Sequence, residues 1–108
     1  MTETIVEVEE KTNTKEKPKQ LPPYNVILLN DDYHSYEYVI NLCQKIFAFP
    51  IEKGMQAAKT VDAEGRVILW TGSKEVAELK QELIHAFGKD DLIADCQGSM
   101  TAILEPAN

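Results

Sequence analysis

The chain has 108 residues, with 18 Asp and Glu against 11 Lys and Arg, a formal net charge of −7. That length allows one small domain, and an acidic surface repels phosphate backbones, which excludes nucleic acid as an expected partner. No stretch approaches the roughly 18 apolar residues of a membrane span and the start lacks a secretory pattern, so the sequence predicts a soluble, cytoplasmic protein that does not engage a membrane.

Residues 1–23 carry no aromatic side chain and only Ile5, Val6, Val8 and Leu21 among Glu, Lys and Thr. Such a segment has too little apolar surface to offset its ordering entropy, so a flexible tail is expected. Pro18, Pro22 and Pro23 mark its junction with a core over residues 24–108. Tyr24 to Leu29 is a nearly continuous apolar run closed by Asn30, Asp31 and Asp32, the pattern of a buried strand ending in a turn.

From Ser35 the period changes. Tyr36, Val39, Ile40, Cys43, Ile46 and Phe47 recur at steps of three and four, which predicts a helix capped by Ser35 with that face inward. A second helix is expected to begin at Pro50 and run through Ile51, Met55 and Ala58 to about Thr60, before a turn over residues 62–66. Val67 to Trp70 reads as a strand. Thr71, Gly72 and Ser73 end it and cap a third helix with Val76, Leu79, Leu83, Ile84 and Phe87 as its apolar face and Gly88 as its stop. An acidic loop follows, and Ser99 to Leu104 is the last expected strand, ended by Pro106. The order β-α-α-β-α-β fits an α+β fold, a three-stranded antiparallel sheet with three helices packed on one face.

The cluster Asn30, Asp31, Asp32, Tyr33, His34 at a strand end is the place where binding groups are usually presented, although from spacing alone it also fits a solvated Asx turn. Adjacent Asp residues direct too few oxygens at one point for Mg²⁺ or Ca²⁺. Cys43 and Cys96 stand far apart, in no CxxC, and read as small core residues rather than metal ligands. His34 and His85 have no nucleophile opposite them, and His85 fits a polar-face or dipole-compensating role near a helix end. With no phosphate loop, HExxH or GxSxG, the residues describe an acidic, non-enzymatic binding module with no cofactor.

Tyr24, Val26, Ile27, Leu28, Asn30, Asp31, Asp32 and Tyr33, followed by Glu37, Tyr38, Val39, Gln44, Lys45 and Phe47, resemble the Clp protease adaptor family, ClpS. The similarity resumes at Glu75, Val76, Ala77, Glu78 and Lys80 and covers about residues 22–107. The resemblance implies a monomeric adaptor that binds N-degron substrates through a bulky hydrophobic N-terminal residue. It implies delivery of them to the N-terminal domain of a ClpA- or ClpC-type AAA+ unfoldase. By the same resemblance Asn30 and Asp31 accept from the substrate's α-ammonium, and Ile27, Tyr36, Ala58, Val61 and Met100 line the side-chain hole. Asp32, Tyr33 and His34 shape its rim, Glu75 and Lys80 contact the unfoldase, and the tail takes part in delivery. Asp62 stands where the family usually has a histidine that accepts from the ammonium, and Tyr36 and Ala58 stand where it usually has methionines. These departures leave a second reading, an adaptor that docks on the unfoldase with altered or lost N-terminal recognition. The helix and strand order also resembles a ribosomal-stalk docking domain, which has no need of the Asn30 to Tyr33 cluster.

Overall fold

The structure, a computed structural model, describes residues 21–107; the tail expected over residues 1–23 lies almost wholly outside them. Strand β1 spans Tyr24–Leu29, β2 Arg66–Gly72 and β3 Ala102–Pro106; helix α1 spans Tyr36–Phe47, α2 Ile51–Glu64 and α3 Lys74–His85. The strands form one antiparallel sheet in the order β2-β1-β3. The apolar run of β1 is central, paired on both sides, as a strand without polar alternation requires.

Val26 and Leu28 of β1, Leu69 of β2 and Ala102 of β3 join Tyr38, Val39, Leu42, Cys43, Ala57, Ala58, Ala77, Ile84 and Met100 in one buried cluster between sheet and helices. Each Leu or Ile fully buried there contributes roughly 1.5–3 kcal/mol. Burial pushes the Cys43 thiol up to about 12, an inert core position. On the opposite face of the sheet Ile27 is flanked by Ile68 and Ile103, and an Arg66–Glu105 ion pair of 2.7 Å spans the strands.

Ser35 caps α1 as expected, its hydroxyl accepting from the Tyr38 N–H at 3.2 Å. The buried face is rotated from the expected stripe, however: Tyr38 and Leu42 are inside with Val39 and Cys43, while Tyr36 is exposed. Tyr38 is drawn inward because its ring packs on His34 and Phe87, with centroids 4.5 and 5.3 Å away, and its hydroxyl donates to the Gly88 carbonyl. Helix α2 runs a turn longer than expected, to Glu64, so residues 62–64 are helical rather than a turn. Gly65 closes it with φ 85°, a left-handed conformation natural to glycine. Its thin apolar face works through close approach: a Cβ on Gly54 would lie 3.3 Å from the Ile40 backbone of α1. Strand β3 begins three residues later than expected and includes Pro106, opposite Tyr24. His85 accepts from the Ala102 N–H at 3.0 Å and so ties α3 to β3.

Candidate functional site

Where β1 ends, Leu29 donates to the Thr101 carbonyl (2.9 Å) and Asn30 to the Gly65 carbonyl (3.0 Å). These bonds fix the start of the Asn30–Ser35 segment against the ends of α2 and β3. A cavity of about 200 Å³ opens there, and nine of the eleven residues expected at the substrate site line it: Asn30, Asp31, Asp32, His34, Tyr36, Ala58, Val61, Asp62 and Met100. Ser35 and Val39 complete the lining; Ile27 and Tyr33 are not part of it. Val39, Ala58, Val61 and Met100, each at most 3% exposed, supply the apolar wall, and the polar residues supply the mouth.

The extra turn of α2 matters here, because it places Asp62 on a helix, one residue after buried Val61. Tyr36, the first residue of α1, donates its hydroxyl to Asp62 Oδ2 at 2.6 Å and bridges the two helices at the mouth. That bond pushes the Tyr36 phenol above its ordinary value, with desolvation and the Asp62 charge adding to it. Asp31 does two jobs with one oxygen. Its Oδ1 accepts from the Tyr33 N–H at 2.9 Å, an Asx turn, and stands 2.7 Å from His34 Nδ1. Among the described residues Asp31 Oδ2 and Asp62 Oδ1 accept nothing, so each carboxylate has one oxygen held by the protein and one open.

His34 is not an open acceptor. Its side chain is 4% exposed, with Nδ1 on Asp31 and Nε2 2.8 Å from the Gly98 carbonyl and 3.3 Å from Cys96 Sγ. Both nitrogens face acceptors, an arrangement in which the ring serves as donor and as a tie between the Asn30–Ser35 segment and the loop over residues 88–100. Sequence reasoning missed that tie and the residue that completes it, Asp90. Only 4% exposed, Asp90 accepts from the Ser35 N–H at 2.6 Å and the Leu92 N–H at 2.9 Å, while its own N–H donates to Cys96 Sγ at 3.1 Å. Burial alone would raise the Asp90 carboxyl, but those N–H groups, with His34 nearby, hold it below its ordinary value. The loop so anchored leads directly into Met100, which closes the apolar wall.

On α3, Glu75 is exposed, and Val76, Leu79 and Leu83 are 39%, 52% and 43% exposed. Only Ala77 and Ile84 of α3 are buried, so most of its expected core stripe faces outward. Lys80 is half-buried and donates to the Ile46 carbonyl at 2.8 Å, near the Phe47 ring at the end of α1. Among the described residues no three His, Cys, Asp or Glu side chains converge as metal ligands, and no helix is long and apolar enough to cross a membrane.

Comparison with known proteins agrees with this architecture. A solved structure of Agrobacterium tumefaciens ClpS2 bound to L-phenylalaninamide superposes with a TM-score of 0.69 over 80% of this chain and 98% of that one, at 24% identity, a likeness of fold. The ATP-dependent Clp protease adapter protein ClpS of Pectobacterium carotovorum is 40% identical over 82 residues, 74% of this chain and 77% of the relative. That of Edwardsiella ictaluri is 40% identical over 83 residues, 77% and 76%. The family model described as ATP-dependent Clp protease adaptor protein ClpS matches residues 19–92. The chain therefore belongs to the ClpS family, whose members are adaptors of the Clp protease and not proteases themselves.

Proposed function

We propose that this adaptor binds proteins through a free N-terminal amine and a bulky hydrophobic first residue, and delivers them in the cytoplasm, as a monomer, to a ClpA- or ClpC-type AAA+ unfoldase. The observation that carries this reading is the pair of half-occupied carboxylates at the mouth of an apolar cavity. An α-ammonium offers three donors and a positive charge. Asn30, the open oxygen of Asp31 and the open oxygen of Asp62 are three acceptors at that mouth, two of them anionic. Val39, Ala58, Val61 and Met100 would receive the first side chain, with Asp32 and Tyr36 at the rim. The ClpS2 structure of the same fold holds L-phenylalaninamide, a ligand with a free amine and an aromatic side chain.

Asp62 would serve where an imidazole serves in relatives, supplying full charge in place of a neutral acceptor. His34 would act at one remove, by orienting Asp31. Docking on the unfoldase would use the outward side of α3, with Glu75 and Lys80 beside the exposed Val76, Leu79 and Leu83.

The Tyr36–Asp62 bond favours one further reading, in which the adaptor docks on the unfoldase but has a narrowed or altered choice of first residue, because a bulky ring bridges the mouth. Titration of peptides that differ only in the first residue, each with a free and an acetylated amine, separates the two. Preference for free-amine Leu, Phe, Tyr or Trp supports N-degron binding. Equal binding of the acetylated forms, or none, would falsify it and leave docking to be tested by pull-down with the unfoldase N-terminal domain.

A further inference from the structure

A second concave surface lies away from the pocket, between α2 and the outer edge of β2. This groove, of about 580 Å³, is lined by Phe49, Lys53, Lys59, Ile68, Trp70 and Thr71 among others. Strand β2 is an edge of the sheet, so among the described residues its outer N–H and C=O groups pair with no strand. Ile68 is 55% exposed there. In a chain with a net charge of −7 this groove has lysines and no Asp or Glu along it, and Lys53 Nζ stands 4.2 Å from the Phe49 ring. Its chemistry fits an extended segment in which β-branched and acidic side chains alternate. The backbone would pair with the edge, the apolar side chains would meet Ile68 on the sheet face away from the helices, and the carboxylates, on the other side of the segment, would meet Lys53 and Lys59 of α2.

The chain carries such a segment. Residues 1–10 hold four Glu and no Lys or Arg, and Ile5-Val6-Glu7-Val8-Glu9 places Val6 and Val8 on one side of an extended backbone. The eleven residues between Glu9 and Leu21 reach up to roughly 36–40 Å. That exceeds the roughly 24 Å length of β2, and the core begins beside the strand, with Tyr24 opposite Gly72. We propose that Ile5–Glu9 docks along the outer edge of β2 in this groove as an intramolecular fourth strand. The register shift between Val26 and Ile27 bends the β1–β2 ladder, which suits a short segment better than a long strand.

The test compares the full chain with its Val6→Asp/Val8→Asp variant by amide hydrogen exchange along β2 and by the emission of Trp70, the single tryptophan. A tether of this kind gives an effective concentration in the millimolar range, so a segment that binds with a dissociation constant of about 1 mM in trans is about half docked. The β2 amides not bonded to β1 are then expected to exchange roughly twofold faster in the variant. Trp70 emission is expected to shift to the red, and a peptide of residues 4–10 added to the variant is expected to reverse both changes. Lys53→Glu/Lys59→Glu in the intact chain should reproduce the faster exchange. Identical exchange and emission in parent and tail variant overturn the proposal. Protection that grows with protein concentration also overturns it, since it assigns the groove to a second copy of the chain.

Discussion

At the pocket, Asp31, His34, Tyr36, Asp62 and Asp90 are each bonded to another part of the chain, whereas on the outer face of α3 Val76, Leu79 and Leu83 stand 39–52% exposed beside a solvated Glu75. On the proposed function the contrast follows from the size of what each surface would meet. A single ammonium group offers little area, so affinity has to come from acceptors already oriented, each with one oxygen held and one open. A domain-sized partner brings its own apolar surface, and a helix that leaves apolar side chains in water is paired to it by area rather than by preset hydrogen bonds.

The pocket side of this contrast is tested most severely by Asp31→Asn. The amide keeps an oxygen for Tyr33 and His34 but removes the charge. Loss of a charged hydrogen bond of about 1.5–3 kcal/mol predicts roughly 10- to 150-fold weaker binding of a free-amine Phe peptide, with little change in the acetylated form. Equal affinity of parent and variant by calorimetry would take Asp31 out of the site. Asp90→Asn tests the scaffold behind the pocket. One amide oxygen cannot accept from both Ser35 and Leu92, so an unfolding free-energy loss of about 1–3 kcal/mol is expected at pH 7. Because the folded state lowers the Asp90 pKa, its contribution is present above the ordinary value of 3.8 and is lost as pH falls through the lower folded value. The gap between the denaturant curves of parent and variant should therefore begin to close below about pH 4 and vanish only once pH is below the folded value; a gap that does not narrow on acidification would show that the loss does not come from the charge.

Leu79→Asp probes the other region. An exposed position changes stability by less than about 0.5 kcal/mol, while an interface anchor costs more than about 1 kcal/mol, at least roughly fivefold in affinity for the unfoldase N-terminal domain. Unchanged docking in a surface-binding assay would return α3 to the status of a solvated helix.

How much of this was legible depends on the range of the interaction. Strand β1 and the Ser35 cap are local patterns, an apolar run and a hydroxyl three residues before the N–H it accepts from, and the structure has both where the sequence places them. The faces of α1 and α3 were less legible because periodicity shows that a stripe exists and not what covers it. Tyr38 is held inward by His34, Phe87 and Gly88, two of which lie about fifty residues away, and the Val76–Leu79–Leu83 stripe looks the same in sequence whether it meets a sheet or a partner. Family resemblance pointed to nine of the residues that line the pocket but also to Ile27, which lies on the opposite face of the sheet, and to Tyr33, and it did not point to Val39 or Ser35. Nor did it point to the pocket's supports: the Asp90–Ser35 bond spans 55 positions, and the Tyr36–Asp62 bond exists only because α2 continues past Thr60.

The smallest expected effect is also the most discriminating, because its sign separates two roles for one hydroxyl. In Tyr36→Phe the ring stays and only the bond to Asp62 Oδ2 is lost. If that bond mainly withdraws acceptor strength from Asp62, removing it frees a second carboxylate oxygen for the ammonium, and binding of a free-amine Leu or Phe peptide should tighten by roughly 2- to 10-fold, a gain of about 0.5–1.5 kcal/mol. Folding stability should move little, since the pair is exposed at the mouth. Weaker binding instead would make the hydroxyl a brace that holds Asp62 toward the cavity, so that the pocket is preorganised on the α2 side as His34 preorganises it at Asp31. We expect the gain, because His34 is buried and satisfied at both nitrogens while Tyr36 is exposed and holds Asp62 by a single contact.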